Sequence, residues 1–468
     1  MSRASAPAKR FAPFVGGPGL QGLAMALALL PGAAFACALP PSVILTLPTG
    51  HYITGAALTV ALTAVMGAAA ARLPDMRAHL LRDRPERLPR IALTYASFMV
   101  FLIVVLAGIL GPNDPMHNLL TLVFWTGVWI ALPLASMLFG NLWWGLTPFH
   151  APIRVLRGLI GRTRGIGLSR LGHWPAVLGL MGFSWFQIVS LSPSDPETLL
   201  QAMLIYFAVI LALGVLEGED WLEKGEFLTV FFTMVSRIAP FWRERQGGRV
   251  RSLIGWPGAQ VLRMPPFSLS EMAFVTVALG GLSFEGLSET FFWLGLIGEN
   301  PLEFTGRSAV MGVNTLGLFA AWGATALGLW VVLSLGRHWG GQRFAAGPVM
   351  LSFLAIAAGY HTAHFFITLL TSAQYALYAL NDPLFRGDAL LGLPPFYVSL
   401  GFLSVPWVMS LLYAVQFAAI LGAHLLAVVL VLKLVGPHAR ALAHLPMTVL
   451  MVGYTVFGLW LLSTARGA

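Results

Sequence analysis

The chain has 468 residues, 57% of them hydrophobic and 10% charged, with a mean hydropathy of +0.79. A soluble protein carries about a quarter charged residues, so the composition points away from a soluble fold and towards an all-α, polytopic helical membrane protein. The apolar residues run on rather than alternate, which excludes an outer-membrane barrel.

The net charge of +9 does not imply a nucleic-acid partner. The arginines fall between apolar runs, where membrane topology accounts for them, and no zinc-finger, RNA-binding or basic-helix pattern occurs. The single cysteine, Cys37, excludes an intrachain disulfide and a cysteine-rich metal site.

Residues 1–36 read as a signal peptide or an uncleaved signal anchor. Arg3, Lys9 and Arg10 form a basic start, "LQGLAMALALLPGAAFA" an apolar core, and Ala34-Phe35-Ala36 a small-residue cleavage site. Cleavage there would leave Cys37 first. Ala34 stands where a lipidation signal has Leu or Val, so ordinary cleavage or an uncleaved helix is preferred.

Residues 37–468 read as one helical domain with ten spans. They lie near 51–71, 91–110, 119–140, 174–192, 199–216, 270–290, 312–336, 347–371, 400–433 and 445–463. The ninth is long for one crossing and is expected to tilt, or to bend at Pro406. The linkers alternate in charge. "ARLPDMRAHLLRDRPERLPR", 141–173 and 217–269 are arginine-rich and are placed in the cytoplasm. "GPNDPMHN", "SPSDPET" and the long loop 372–399 are placed in the periplasm. This puts the mature N-terminus and the C-terminus in the periplasm and the protein in a bacterial inner membrane. Within 217–269, "FLTVFFTMVSRIAPFW" is too short to span and reads as an interfacial or re-entrant helix. No internal repeat of the kind many transporters carry is visible.

An ionisable side chain at membrane depth is costly, so it marks a functional candidate. His361 and His364 share a helix face at i and i+3 in "AGYHTAHFFITLL". Two imidazoles at that spacing suit a divalent metal, or a base with an orienting partner; the plain alternative is a pair of neutral histidines bonded to neighbouring helices. Glu285, in "GGLSFEGLSET", sits at matching depth on a glycine-rich span, as a ligand or a proton acceptor. Asp382, Arg386 and Asp388 form either a solvated turn or a lid over the pocket, and Gln374 reaches the same space. Asn113, Asp114 and His117 are weaker candidates of the same kind. His51 stands at the outer start of the first span. Gln416, His424 and Gln187 suit interhelical hydrogen bonds. P-loop, zinc-protease and serine-hydrolase motifs are absent from the sequence.

The stretches "FEGLSETFFW", "NTLGLF", "AHFF", "DPLFRGD", "VQFAAILGAHLLAVVL" and "LPMTVLMVGYTVFGLWLL" occur in the order and spacing seen in a known family. The chain resembles bacterial multispanning membrane proteins identified as fenitrothion hydrolases, over most of its length after the signal. The resemblance implies hydrolysis of a lipophilic organophosphate ester. It places family elements on Glu285, Gly286 and Ser288, on His364, on Asp382, and on Gln416 and His424. His361 has no family counterpart.

The expected site is therefore catalytic Glu285, His364 and Asp382, with a divalent metal held by His361, His364, Glu285 and Asp388. Such a metal would activate water and polarise the phosphoryl oxygen. The partners are the lipid bilayer and a lipophilic small molecule. The rival expectations are a transporter of protons, metal ions or small molecules, and a membrane assembly factor for a periplasmic metalloprotein.

Overall fold

The computed structural model describes residues 49–69, 75–86, 90–303, 306–341, 344–394, 398–435 and 441–464. The segment expected to be a signal, and Cys37, lie outside the described residues.

Helix α1 spans Thr49–Ala69 and is followed by strand β1, Ala78–Pro85. Next come α2, Arg90–Leu110, and α3, Leu119–Phe139. A short amphipathic helix, α4 (His150–Leu159), precedes α5 (Trp174–Ile188) and α6 (Pro196–Glu217). Asp195 starts α6 by accepting the Thr198 backbone N–H, and Pro196 sits where no helical donor is needed. Helix α7, Phe227–Val235, leads to strands β2 (Phe241–Gln246) and β3 (Arg249–Gly255). The remaining helices are α8 (Leu269–Ser288), α9 (Arg307–Gly340), α10 (Phe353–Asn381, led by the turn Ala346–Leu351), α11 (Pro406–Val435) and α12 (Ala441–Ser463).

Among the described residues, seven helices are long and apolar enough to cross a membrane: α2, α3, α6, α9, α10 with its leading turn, α11 and α12. The expected ten is corrected to seven by that measure. The other three expected spans are helical but fall short. α5 has 15 residues. α8 has 20, but Glu271, Glu285 and three glycines dilute it. In α1 the described apolar stretch is Tyr52–Val65. A bend at Pro406 is also corrected: Pro406 opens α11, where its missing N–H is harmless. The spans turn apolar side chains outward. Ile103, Leu106 and Ile109 on α2 are each more than half exposed, which suits lipid and not water.

The short apolar helix α7 is buried along its length, in the same core as Trp129, Phe183 and Phe274. A helix lying on a membrane surface would expose a polar side, and this one does not. Glu226 caps it from inside. Its carboxylate accepts the Leu228 N–H (2.9 Å), the Thr229 N–H (2.7 Å) and the Tyr206 hydroxyl.

Strands β1 and β2 flank β3 in an antiparallel sheet of order β1-β3-β2. The sheet joins the linker after α1 to the linker after α7. The linker 141–173 meets the same end: Arg90 donates to the Trp144 carbonyl (3.2 Å), and Arg154 pairs with Glu219. Three arginine-rich linkers thus share one end of the bundle. The arginine-poor linkers meet elsewhere, where the His117 and Phe385 rings pack at 4.5 Å with their planes tilted by 53°.

His150 begins α4 at the arginine-rich end and is 4% exposed. Burial first, and then the charges of Arg90 and Arg154, lower its pKa from 6.5 to about 3. A histidine held neutral in the fold gives stability that is full above pH 6.5 and is lost as pH falls towards 3. The expected slope is about 1.4 kcal/mol per pH unit in that window. Unfolding midpoints measured across it should show the slope in the wild type and a flatter line in His150→Gln. Equal slopes would refute the assignment.

Candidate functional site

Glu285 lies one turn from the end of α8. Gly286 beside it leaves room for the Tyr360 hydroxyl of α10, which would stand 2.7 Å from a Cβ there. His364 of α10 reaches the carboxylate, with Nε2 3.4 Å from Glu285 Oε1 and the two side chains 9% and 15% exposed. The same oxygen accepts the Gln187 Nε2–H from α5 at 2.7 Å. Three helices therefore converge on one carboxylate oxygen. Tyr360 stacks on the His364 ring at 6.0 Å with the planes 12° apart.

Two further contacts hold this node. Gln416 of α11 donates to the carbonyl of Ala363, the residue before His364, at 2.7 Å. Arg307, opening α9, donates to the carbonyls of Gln187 (3.1 Å) and Ser190 (3.0 Å). A cation at the end of α5 suits the partial negative charge of a helix C-terminus. Arg307 is the residue that sequence reasoning missed. Its signal was a lone arginine before a long apolar run. Gln187 was read as an interhelical bonder, and its partner is the candidate carboxylate itself.

His361 does not join Glu285. It turns to α3, where Nε2 donates to the Trp129 carbonyl at 3.1 Å. There residues Val123–Ala131 wind as a π-helix, and Pro133 follows. His361 supplies a donor to a carbonyl of that segment. A carbonyl only accepts, so the proton sits on Nε2. Nδ1 has no partner among the described residues, and the rings of Trp129, Phe231 and Phe365 surround the imidazole.

The other expected site residues are placed apart. Asp382 is 3% exposed, and its two oxygens accept the N–H groups of Arg386 (2.9 Å) and Gly387 (2.8 Å). It shapes its own loop. Asp388 is exposed in that loop. Gln374 clamps the loop's far end, accepting from Ser399 N at 3.1 Å and donating to Ser399 O at 3.2 Å. His424 donates to the Ile420 carbonyl one turn back (2.8 Å). His117 pairs with Asp114 at the surface (2.6 Å). The His51 side chain lies outside the described residues.

The expected four-donor metal set is therefore not assembled. Among the described residues no group of three or more His, Cys, Asp or Glu side chains is placed to hold a metal ion. Glu285 and His364 provide two donors, His361 uses its Nε2 proton on a backbone carbonyl, and Asp388 points from an exposed loop.

What the pair can do is move a proton. His364 can donate its Nε2–H towards the carboxylate oxygen that also accepts from Gln187.

Comparison with protein-family models, with curated proteins and with solved structures finds no match to this chain.

Proposed function

We propose that the chain is an integral inner-membrane protein that uses the Glu285–His364 pair as a proton-exchange centre, coupling proton movement to passage of a small solute or ion. One observation carries this reading: a single carboxylate oxygen, almost removed from water, is shared by an imidazole and an amide from two other helices. A contact between α8 and α10 made through an imidazole and a carboxylate is the kind of proton-sharing, bistable contact a carrier needs. The arginine-rich end is cytoplasmic in this proposal, and the pair opens towards the periplasm. All ten helical segments lie within the bilayer in this proposal, with α8 largely covered by its neighbours.

A second reading has its own support. Three elements of the fenitrothion-hydrolase resemblance meet here: Glu285, His364 and, through the Ala363 carbonyl, Gln416. Under that reading Glu285 orients His364, and His364 removes the proton from the attacking water as it adds to a lipophilic phosphate ester.

Reconstituted vesicles separate the two. Under an imposed potassium diffusion potential, wild-type vesicles should acidify faster than empty ones, as read by an internal pH dye. If they match empty vesicles while the protein releases nitrophenolate from a nitrophenyl phosphotriester, the transport reading is wrong and the hydrolytic one stands.

A further inference from the structure

The sheet sorts its charges onto two faces. Residues opposite one another across strands share a face, and faces alternate along each strand. The row Asp83, Arg251, Glu244 lies on one face. Its charges are paired: Asp83 meets Arg249 (2.9 Å) and Arg251 (3.4 Å), and Glu244 meets Arg263 (3.7 Å).

The other face carries the rows Arg82, Ser252, Arg243 and Arg84, Val250, Arg245. Four arginines stand in two adjacent rows. Only Arg245 has a carboxylate, Glu86 at 3.4 Å, and it also lies over the Trp144 ring at 3.6 Å. Arg82, Arg84 and Arg243 are exposed, and no described carboxylate pairs with them. Like charges across a strand pair repel. An anion lying over them would remove that repulsion.

The position of the face identifies the anion. Trp144 also carries Arg90, the first residue of the apolar span α2. Phe241, on the arginine face, stacks on Phe139, the last residue of α3, at 6.3 Å. Phe139, Leu138 and Phe241 are 56%, 52% and 40% exposed. The unpaired arginines therefore adjoin exposed apolar side chains where two apolar helices end. Guanidinium groups fit phosphate oxygens in pairs, and the aromatic and leucine side chains fit the start of an acyl chain.

We propose that this face binds the headgroup of an anionic phospholipid, with Arg82, Arg84 and Arg243 on its phosphate. Free phosphate has no use for the apolar neighbours.

The test uses the full chain in detergent with phosphatidylglycerol or phosphatidylcholine added, and native mass spectrometry to count bound lipid. Phosphatidylglycerol should be retained by the wild type and by the paired-face variant R249Q/R251Q. Its apparent affinity should fall about tenfold or more in R82Q/R84Q/R243Q. Inorganic phosphate at equal concentration should not displace it. The proposal is overturned if the triple variant retains the lipid, if both variants lose it equally, or if inorganic phosphate displaces it. Should the triple variant fail to fold, R243Q and the lipid-induced rise in the wild-type melting midpoint serve instead. A wild-type midpoint that rises equally with both lipids also overturns it.

Discussion

Glu285→Gln is expected to abolish Glu285-dependent proton movement, bringing wild-type vesicle flux down to that of empty vesicles, while the chain stays folded. The substitution keeps the shape. The new amide oxygen can still accept the Gln187 Nε2–H that now bonds Glu285 at 2.7 Å. What disappears is the carboxylate 3.4 Å from His364 Nε2. If the pair instead serves hydrolysis, the loss should be about 100-fold to 10,000-fold in kcat, the usual worth of a general acid–base group. Glu285→Ala is a different case. It leaves two donors without their acceptor and should also cost about 1–3 kcal/mol of stability. Flux, hydrolysis and melting midpoints measured on both variants separate chemistry from folding. Unchanged flux and unchanged hydrolysis in Glu285→Gln would remove this pair from the function.

Gly359→Val should be the most damaging packing change in the neighbourhood. Gly359 sits on α10 one turn before His364, facing α11. A Cβ there would lie 2.2 Å from the Ala423 Cβ and 2.8 Å from the Ala419 carbonyl oxygen. The obstacle is helix backbone and a methyl group fixed to it, so no side chain can rotate away. The two helices must separate, and with them the contact between Gln416 and the Ala363 carbonyl. A loss of about 3 kcal/mol or more is expected. Gly422, on α11, has open space where a Cβ would go. Gly422→Ala should therefore be neutral or slightly stabilising, since alanine favours helix. Melting midpoints in one detergent compare the two directly. A Gly359→Val protein that melts with the wild type would contradict this close approach.

Fold class was legible because hydropathy is a local, additive property. Apolar runs show where helices of this kind lie, and charge between them shows which linkers belong together. That is why the arginine-rich linkers 70–90 and 217–269 could be grouped before their strands were seen to pair. The count of spans was less legible. α5 and α8 are shorter or more polar than a lipid-facing helix, and neighbours cover much of them. The strands were not anticipated at all. Their short, arginine-rich stretches carry no apolar alternation, and they pair over a long sequence separation.

The candidate site divides in the same way. Sequence alone marked Glu285, His361 and His364 as side chains that would be costly at membrane depth and would need partners there, because the hydration of charged and polar groups is a property of the side chain itself. Only the tertiary structure decided which partners. Helical spacing puts the two histidines on neighbouring positions of one face, but neighbouring positions meet different helices. His364 meets Glu285 of α8. His361 meets α3, at the Trp129 carbonyl of its π-helical segment. Spacing along one helix fixes direction, whereas the atom waiting at the end of that direction is set by the packing of another.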